Sequence, residues 1–275
     1  MVSAFAGKGT MQPSVLELAR LTCRAIFSSD GCFKPGARIM IKKLAKTPTV
    51  ALLAATMCVM SGCGGNSTTL TPVGTVVNLS VFESTFTGRP NSVPLSFPSL
   101  TGTDPQGNPL SGSLSINPGN NVTVLPDGTS CRSTVTTSIL SQNGNTLVDE
   151  TSTKYFKVSD GSFYQMVHSS SIGSTTYVRI SNDSFGHGPV KVGDSGNLGL
   201  FQGSDGTMLT VTWALNPGTN GGSIFVLSEI YSSPATGMMS EDQSFYLDAT
   251  GNPTAYAFWM DMSGDIYQAS GGRAK

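Results

Sequence analysis

The sequence predicts an all-β fold, an antiparallel meander of about ten to twelve strands that closes into a barrel or folds into a two-sheet sandwich. Three observations predict it. First, runs rich in Val, Thr, Ile, Tyr and Phe alternate with the turn dipeptides Asp127-Gly128, Asn143-Gly144, Asp160-Gly161, Asp205-Gly206 and Gly251-Asn252. Such dipeptides tolerate the positive φ of tight hairpin turns, so each joins neighbouring antiparallel strands. Second, two runs have a period of two. In MLTVTWAL, Leu209, Val211, Trp213 and Leu215 share one face and Thr210 and Thr212 the other; in TTYVRIS, Thr176, Val178 and Ile180 oppose Tyr177, Arg179 and Ser181. Third, no stretch carries a convincing 3.6-residue period over about eleven residues, so helix is minor. So many strands must bury one face and dispose of their edges, which closure or a second packed sheet achieves.

In chain order, residues 1–39 mix Lys8, Arg20, Arg24, Lys34 and Arg38 with a short apolar patch at Val15, Leu16, Leu18 and Ala19. They read as a mis-assigned start ahead of a second initiator, Met40, or as a long leader. Cys23 and Cys32 have no histidine nearby and lack zinc-ligand spacing. From Met40 the chain runs MIKKLAKTPTVALLAATMCVMSGC, with Lys42, Lys43 and Lys46 as a basic front, Thr49 to Met60 as an apolar run, and Met60-Ser61-Gly62-Cys63 at its end. As a helix that run spans roughly 18 Å, short of a ~30 Å hydrocarbon core, so it suits a translocon better than a permanent span.

Residues 40–63 resemble the signal peptide of bacterial lipoproteins, with Met60 where such boxes more often carry Leu. The resemblance covers this segment alone. It implies that residues 40–62 are removed and that Cys63, then first, carries a diacylglycerol thioether and a further acyl chain. At about 0.8 kcal/mol per buried CH₂, two or three chains anchor stably where one is marginal. The implied partner is a membrane, met through the acyl chains on Cys63, and the implied location a cell envelope. Gly64 in place of Asp after the cysteine implies, by the enterobacterial rule, the outer membrane, facing periplasm or cell surface.

Behind Cys63, residues 63–73 read as a flexible tether opened by Gly64, Gly65, Asn66 and Ser67. Residues 74–110 read as one strand, Thr75 to Phe82, and an extended lead-in whose Pro90, Pro94, Pro98, Pro105 and Pro109 forbid helix and interrupt any sheet ladder. Residues 111–275 read as the antiparallel β domain, single with 74–110. Its strands are expected at Ser111–Ile116, Asn121–Leu125, Cys131–Leu140, Thr146–Val158, Ser162–Ser169, Thr175–Ser181, Gly199–Gln202, Met208–Leu215, Ser223–Tyr231, Gln243–Ala249, Thr254–Met262 and Asp265–Ala269.

From Cys63 onward lie eight of the 16 Lys and Arg and 15 of the 17 Asp and Glu, a net charge of −7. An acidic body argues against nucleic acid as a partner. Only Cys63 and Cys131 of the five cysteines lie in this part. With Cys63 acylated no intramolecular disulfide forms, and Cys131 on a strand reads as a small buried apolar side chain.

The residues that carry chemistry form no catalytic constellation. Gly193-Asp194-Ser195-Gly196 resembles the nucleophile motif of chymotrypsin-like proteases over four residues, but His168 and His187 stand outside that family's histidine motif and Asn197-Leu198 replaces its continuation. A turn explains the tetrapeptide better. His168, on a strand face with Tyr164 and Met166, and His187, between glycines, leave a zinc site short of a third ligand, so no metal and no cofactor are expected. Asp149-Glu150, Glu241-Asp242 and Asp261 with Asp265 raise glycosidase chemistry; adjacent acids on a strand point to opposite faces, which favours solvated edge and turn positions.

Aromatics crowd the last strands: Phe245, Tyr246, Tyr256, Phe258, Trp259 and Tyr267. Buried, they are core; exposed, Tyr256 and Phe258 on one face or Trp259 on the other would form a stacking platform for sugar or protein. Three functions fit: a lipid-anchored, non-enzymatic envelope protein whose β domain binds a ligand or envelope partner; a polysaccharide-active hydrolase or carbohydrate-binding module; and a structural or adhesive surface protein. A pocket with two facing carboxylates would favour the hydrolase.

Overall fold

Turn chemistry, alternation and one long-range closure make the architecture. In a computed structural model, described over residues 69–119, 121–171, 173–181, 190–233 and 237–274, the elements are β1 (Val76–Val77), α1 (Ser80–Phe86), β2 (Leu95–Thr103), β3 (Pro109–Pro118), β4 (Thr123–Val124), β5 (Ser130–Gln142), β6 (Asn145–Lys157), β7 (Phe163–Ser170), β8 (Gly173–Arg179), β9 (Val190–Lys191), β10 (Ser195–Gly203), β11 (Met208–Pro217), β12 (Ser223–Ser233), β13 (Gly237–Leu247), β14 (Pro253–Met262) and β15 (Asp265–Gly272). The basic start, the apolar run, Cys63 and His187 lie outside the described residues.

Twelve strands form a closed antiparallel barrel. Consecutive hairpins run from β5 through β8 and from β10 through β15; β15 returns to β2, β2 pairs with β3, and β3 pairs with β5. β4 extends the sheet beside β5, and β1 and β9 form a separate two-stranded sheet. All five turn dipeptides connect the strands on either side of them, and at Asn143 and Gly144 both φ values are positive, 49° and 79°, as a two-residue hairpin turn demands.

Two expectations at the N-terminal edge are corrected. Only Val76–Val77 of the expected strand Thr75–Phe82 is extended, because Asn78 Oδ1 accepts the Ser80 N–H at 3.0 Å and turns the chain into α1. The proline-rich stretch contains β2, a full barrel strand. The register slips between Phe97 and Leu100, so Pro98 sits in a bulge where its missing N–H breaks no ladder.

Alternation then sorts the side chains. Leu209, Val211 and Leu215 are fully buried with Trp213 packed beside them, and Tyr177 points inward while Val178 faces out, as the period predicts. Cys131 is fully buried, and burial pushes its thiol up. A barrel of eight strands is filled by its own side chains, and a wider one needs something more. Here α1 closes one end. Phe82 and Phe86, four apart on one helix face, meet Phe225 and Phe245 at 4.8 and 4.9 Å and Phe156 at 6.0 Å, all from inward strand positions. The turn between β13 and β14 holds the lead-in to the helix so closely that a Cβ at Gly251, where φ is +83°, would lie 1.7 Å from the Asn78 carbonyl oxygen.

Candidate functional site

The opposite end of the interior is lined differently. Facing strand positions share a side of the sheet, so the pairs Lys154↔Met166, Ser152↔His168, Ser138↔Glu150 and Glu229↔Glu241 place these side chains together inside the barrel. Lys154 Nζ donates to Glu229 Oε1 at 2.7 Å, with both side chains almost wholly buried. Tyr231 donates its hydroxyl to Glu229 Oε2 at 2.6 Å. Lys154 also lies 5.2 Å from the centre of the Phe86 ring, at the boundary between the aromatic plug and the polar layer.

Beside this pair, Gln243 Nε2 donates to Glu241 Oε1 at 2.7 Å. His168 Nδ1 and Ser152 Oγ are hydrogen-bonded at 3.1 Å, and His168 Nε2 lies 3.7 Å from Glu150 Oε1. Glu241 is half-buried, and His168 and Glu150 keep 22% and 34% of their side-chain surface, so the cluster runs from a sealed ion pair to a solvent-touching rim.

Electrostatics separates the carboxyls. Burial opposes ionisation of Glu229, yet Lys154 and then Tyr231 hold it below its ordinary value. Glu241 has no such partner. Burial, and then the charges of Glu229 and Glu150, push it up to about 8, so at pH 7 it is mostly a neutral acid. The neighbouring Glu150 carboxylate holds the His168 ring above its ordinary value against the effect of burial.

These groups line a small cleft that reaches solvent. A second cleft adjoins it, sharing Ser138, Glu150 and Glu241 and walled otherwise by Leu100, Leu140, Val148, Phe258 and Met260. The mouth therefore has one polar and one apolar wall. Thr136, 5% exposed, lines the polar side with a buried hydroxyl that has no hydrogen-bond partner. Among the described residues no group of three or more His, Cys, Asp and Glu is placed to hold a metal ion.

The residues singled out from sequence scatter. Tyr256 is core, 2% exposed and packed 5.1 Å from Phe245 and 5.4 Å from Phe97, and so not a surface platform. Phe258 also points inward but lines the mouth, whereas Trp259 lies on the outer face opposite Asp242, half-buried. Glu150 and Glu241, expected at solvated edges, are brought together inside the barrel; Asp149 is exposed on the outer face and Asp242 accepts from Ser228 there. Asp261 accepts the Gly264 N–H in a turn, and Asp265 is exposed at the start of β15.

Ser195 is exposed opposite Ala214, and Asp194 accepts the Lys191 N–H, so the protease-like tetrapeptide runs from a turn into the start of β10. A Cβ at Gly196 would lie 2.6 Å from Trp213 Nε1, so this glycine makes room for the indole. A bulge near Phe156 moves Tyr164 off the face of His168 and Met166; its hydroxyl donates to Asp127. Lys154, Glu229, Tyr231 and Gln243 escaped the sequence reading. Strand parity carries the signal: Glu229 and Tyr231 continue the inward series of Phe225 and Leu227, and Lys154 precedes Phe156 by two.

No family model matches the chain, and neither a curated protein nor a solved structure matches it.

Proposed function

We propose that the chain is a lipid-anchored cell-envelope protein, held at the membrane through acyl chains on Cys63, whose barrel is a non-enzymatic binding domain for a small amphiphilic ligand. The observation that carries the binding function is the mouth opposite α1, where a wall of Phe258, Val148, Leu140 and Met260 faces a wall of hydrogen-bonding and charged side chains. Small-molecule sites combine apolar area with a few convergent polar groups and perturbed pKa values, and the mouths of β-barrels are a frequent location. The anchor is supported by the order of basic front, apolar run and cysteine box in residues 40–63.

The test has two parts. A fatty-acid analogue should label the full-length chain in a bacterial host and fail to label Cys63→Ala. Small amphiphiles screened against the full-length chain by NMR should shift signals of Phe258 and Gln243 saturably, and the shifts should vanish in Phe258→Ala. Labelling that persists in Cys63→Ala sinks the anchor, and saturable binding confined to the outer face at Trp259 sinks the lumenal site.

Glu150 and Glu241 on one pocket favour a second reading, a hydrolase with Glu241 as general acid. The mouth is blind, closed behind by Lys154 and Phe86, so such an enzyme would act only on a chain end. Release of a chromophore from aryl glycosides, lost in Glu241→Gln, would establish it.

A further inference from the structure

We infer that the mouth of the barrel takes a small primary ammonium carrying a short apolar tail, with its head among Glu241, Glu150 and the Thr136 hydroxyl and its tail against Phe258, Val148 and Met260. The inference rests on the lumenal binding reading above and names the class of ligand.

Charge decides the sign of the head. The buried cation of the cluster, Lys154, is committed to Glu229 at 2.7 Å, with Tyr231 completing that carboxylate. Beyond this pair, Glu241 from β13 and Glu150 from β6 face the space, with His168 of β7 beside Glu150 at 3.7 Å. Toward the mouth, beyond the committed Lys154, two carboxyl groups, Glu241 and Glu150, therefore face one basic side chain, His168. Glu241 Oε1 accepts from Gln243 at 2.7 Å. The Thr136 hydroxyl is the independent sign that something polar belongs here. A buried hydroxyl without a partner is costly, and an ammonium, with three donors, can satisfy it and both carboxylates together.

The state of Glu241 agrees with this arrangement. The groups that face it are Glu229 and Tyr231 from β12, Glu150 and Lys154 from β6, His168 from β7 and Tyr256 from β14. Their sum leaves it without a counter-charge, so it keeps its proton at pH 7. An ammonium supplies the missing charge, and the Glu241 proton passes to the buffer as the ligand seats. The head is fixed by hydrogen bonds, and the tail leaves water for the apolar wall.

The experiment is calorimetric titration of the full-length chain with n-butylammonium at pH 7, in two buffers of different ionisation enthalpy, with n-butanol and butyrate as controls. The expected result is saturable binding with release of about one proton per ligand, weakened about tenfold or more in Glu241→Gln and in Glu150→Gln. Glu150 lies at the rim, so its variant stays informative if the buried change disturbs folding; circular dichroism checks both. Binding of n-butylammonium unaffected by both substitutions, or without proton release, overturns the inference. Butanol or butyrate binding as well as n-butylammonium, with loss in Phe258→Ala, overturns the ammonium assignment and leaves the lumenal site standing. No binding of any of the three overturns the inference, while the amphiphile screen judges the lumenal site separately.

Discussion

Lys154 and Glu229, 75 positions apart in the chain, meet at 2.7 Å inside the barrel with side chains 2% and 3% exposed. Each charge is tolerable there only because the other is present. Desolvating an isolated ion costs several kcal/mol, and the attraction between the two offsets that cost only while both remain.

Removing one member should therefore do more harm than removing both. Lys154→Met leaves Glu229 buried and uncompensated and should destabilise the barrel by about 3–5 kcal/mol, whereas Lys154→Met with Glu229→Leu should recover much of the loss. Urea unfolding of the two single variants and the double variant gives the coupling. Additive losses would show that the pair does not act as a unit.

Glu241 makes stability depend on pH with a definite sign. Its folded value, about 8, lies above its ordinary value of 4.5, so the folded state holds the proton more tightly than the unfolded chain. This contribution is complete below about pH 4.5 and is lost as pH rises through about 8. Glu241→Gln keeps the neutral shape and removes the titration. The variant should gain on the parent as pH rises from about 5 to 9, read from denaturation midpoints at fixed ionic strength. A constant difference across that range would contradict the assignment.

Phe82 fixes the plug through rings at 4.8 and 4.9 Å from β12 and β13. Phe82→Ala should cost about 3–5 kcal/mol, because the end of a twelve-strand barrel cannot collapse onto the vacated space. Val81, 38% exposed one residue earlier, should tolerate alanine within about 0.5 kcal/mol. Equal effects at the two positions, measured by thermal unfolding, would show that α1 is not held by its inner face.

The hairpins were legible because their information is local. Asn143-Gly144 declares its turn from two residues, and MLTVTWAL declares its faces from eight. Two features were not legible. β2 was hidden because Pro98 signals an interrupted ladder, and only the bulge between Phe97 and Leu100 reconciles it with pairing on both sides. The polar layer was hidden because Lys154 and Glu229 acquire meaning from each other across 75 residues. The local cue, a charged residue on the inward parity of Phe225 and Leu227 or of Phe156, reads equally well as a solvated edge until the ring is closed.

Closure of that ring by β15 against β2 sets the order of events in the life of the chain. Gln268 pairs opposite Thr103, 165 positions away in the chain, so no set of earlier strands can complete the fold. A chain delivered N-terminus first presents β2 with an unpaired edge until the last strand arrives, and the phenylalanines of α1 lack their full wall until β12 and β13 are made. Contacts of such long range are slow to form, and open edges invite pairing with other chains. Closure of the ring therefore waits for the last strand, whatever the earlier hairpins have already formed. A nascent chain stalled before residue 265 remains an open sheet whose quality control depends on whatever shields it during that interval.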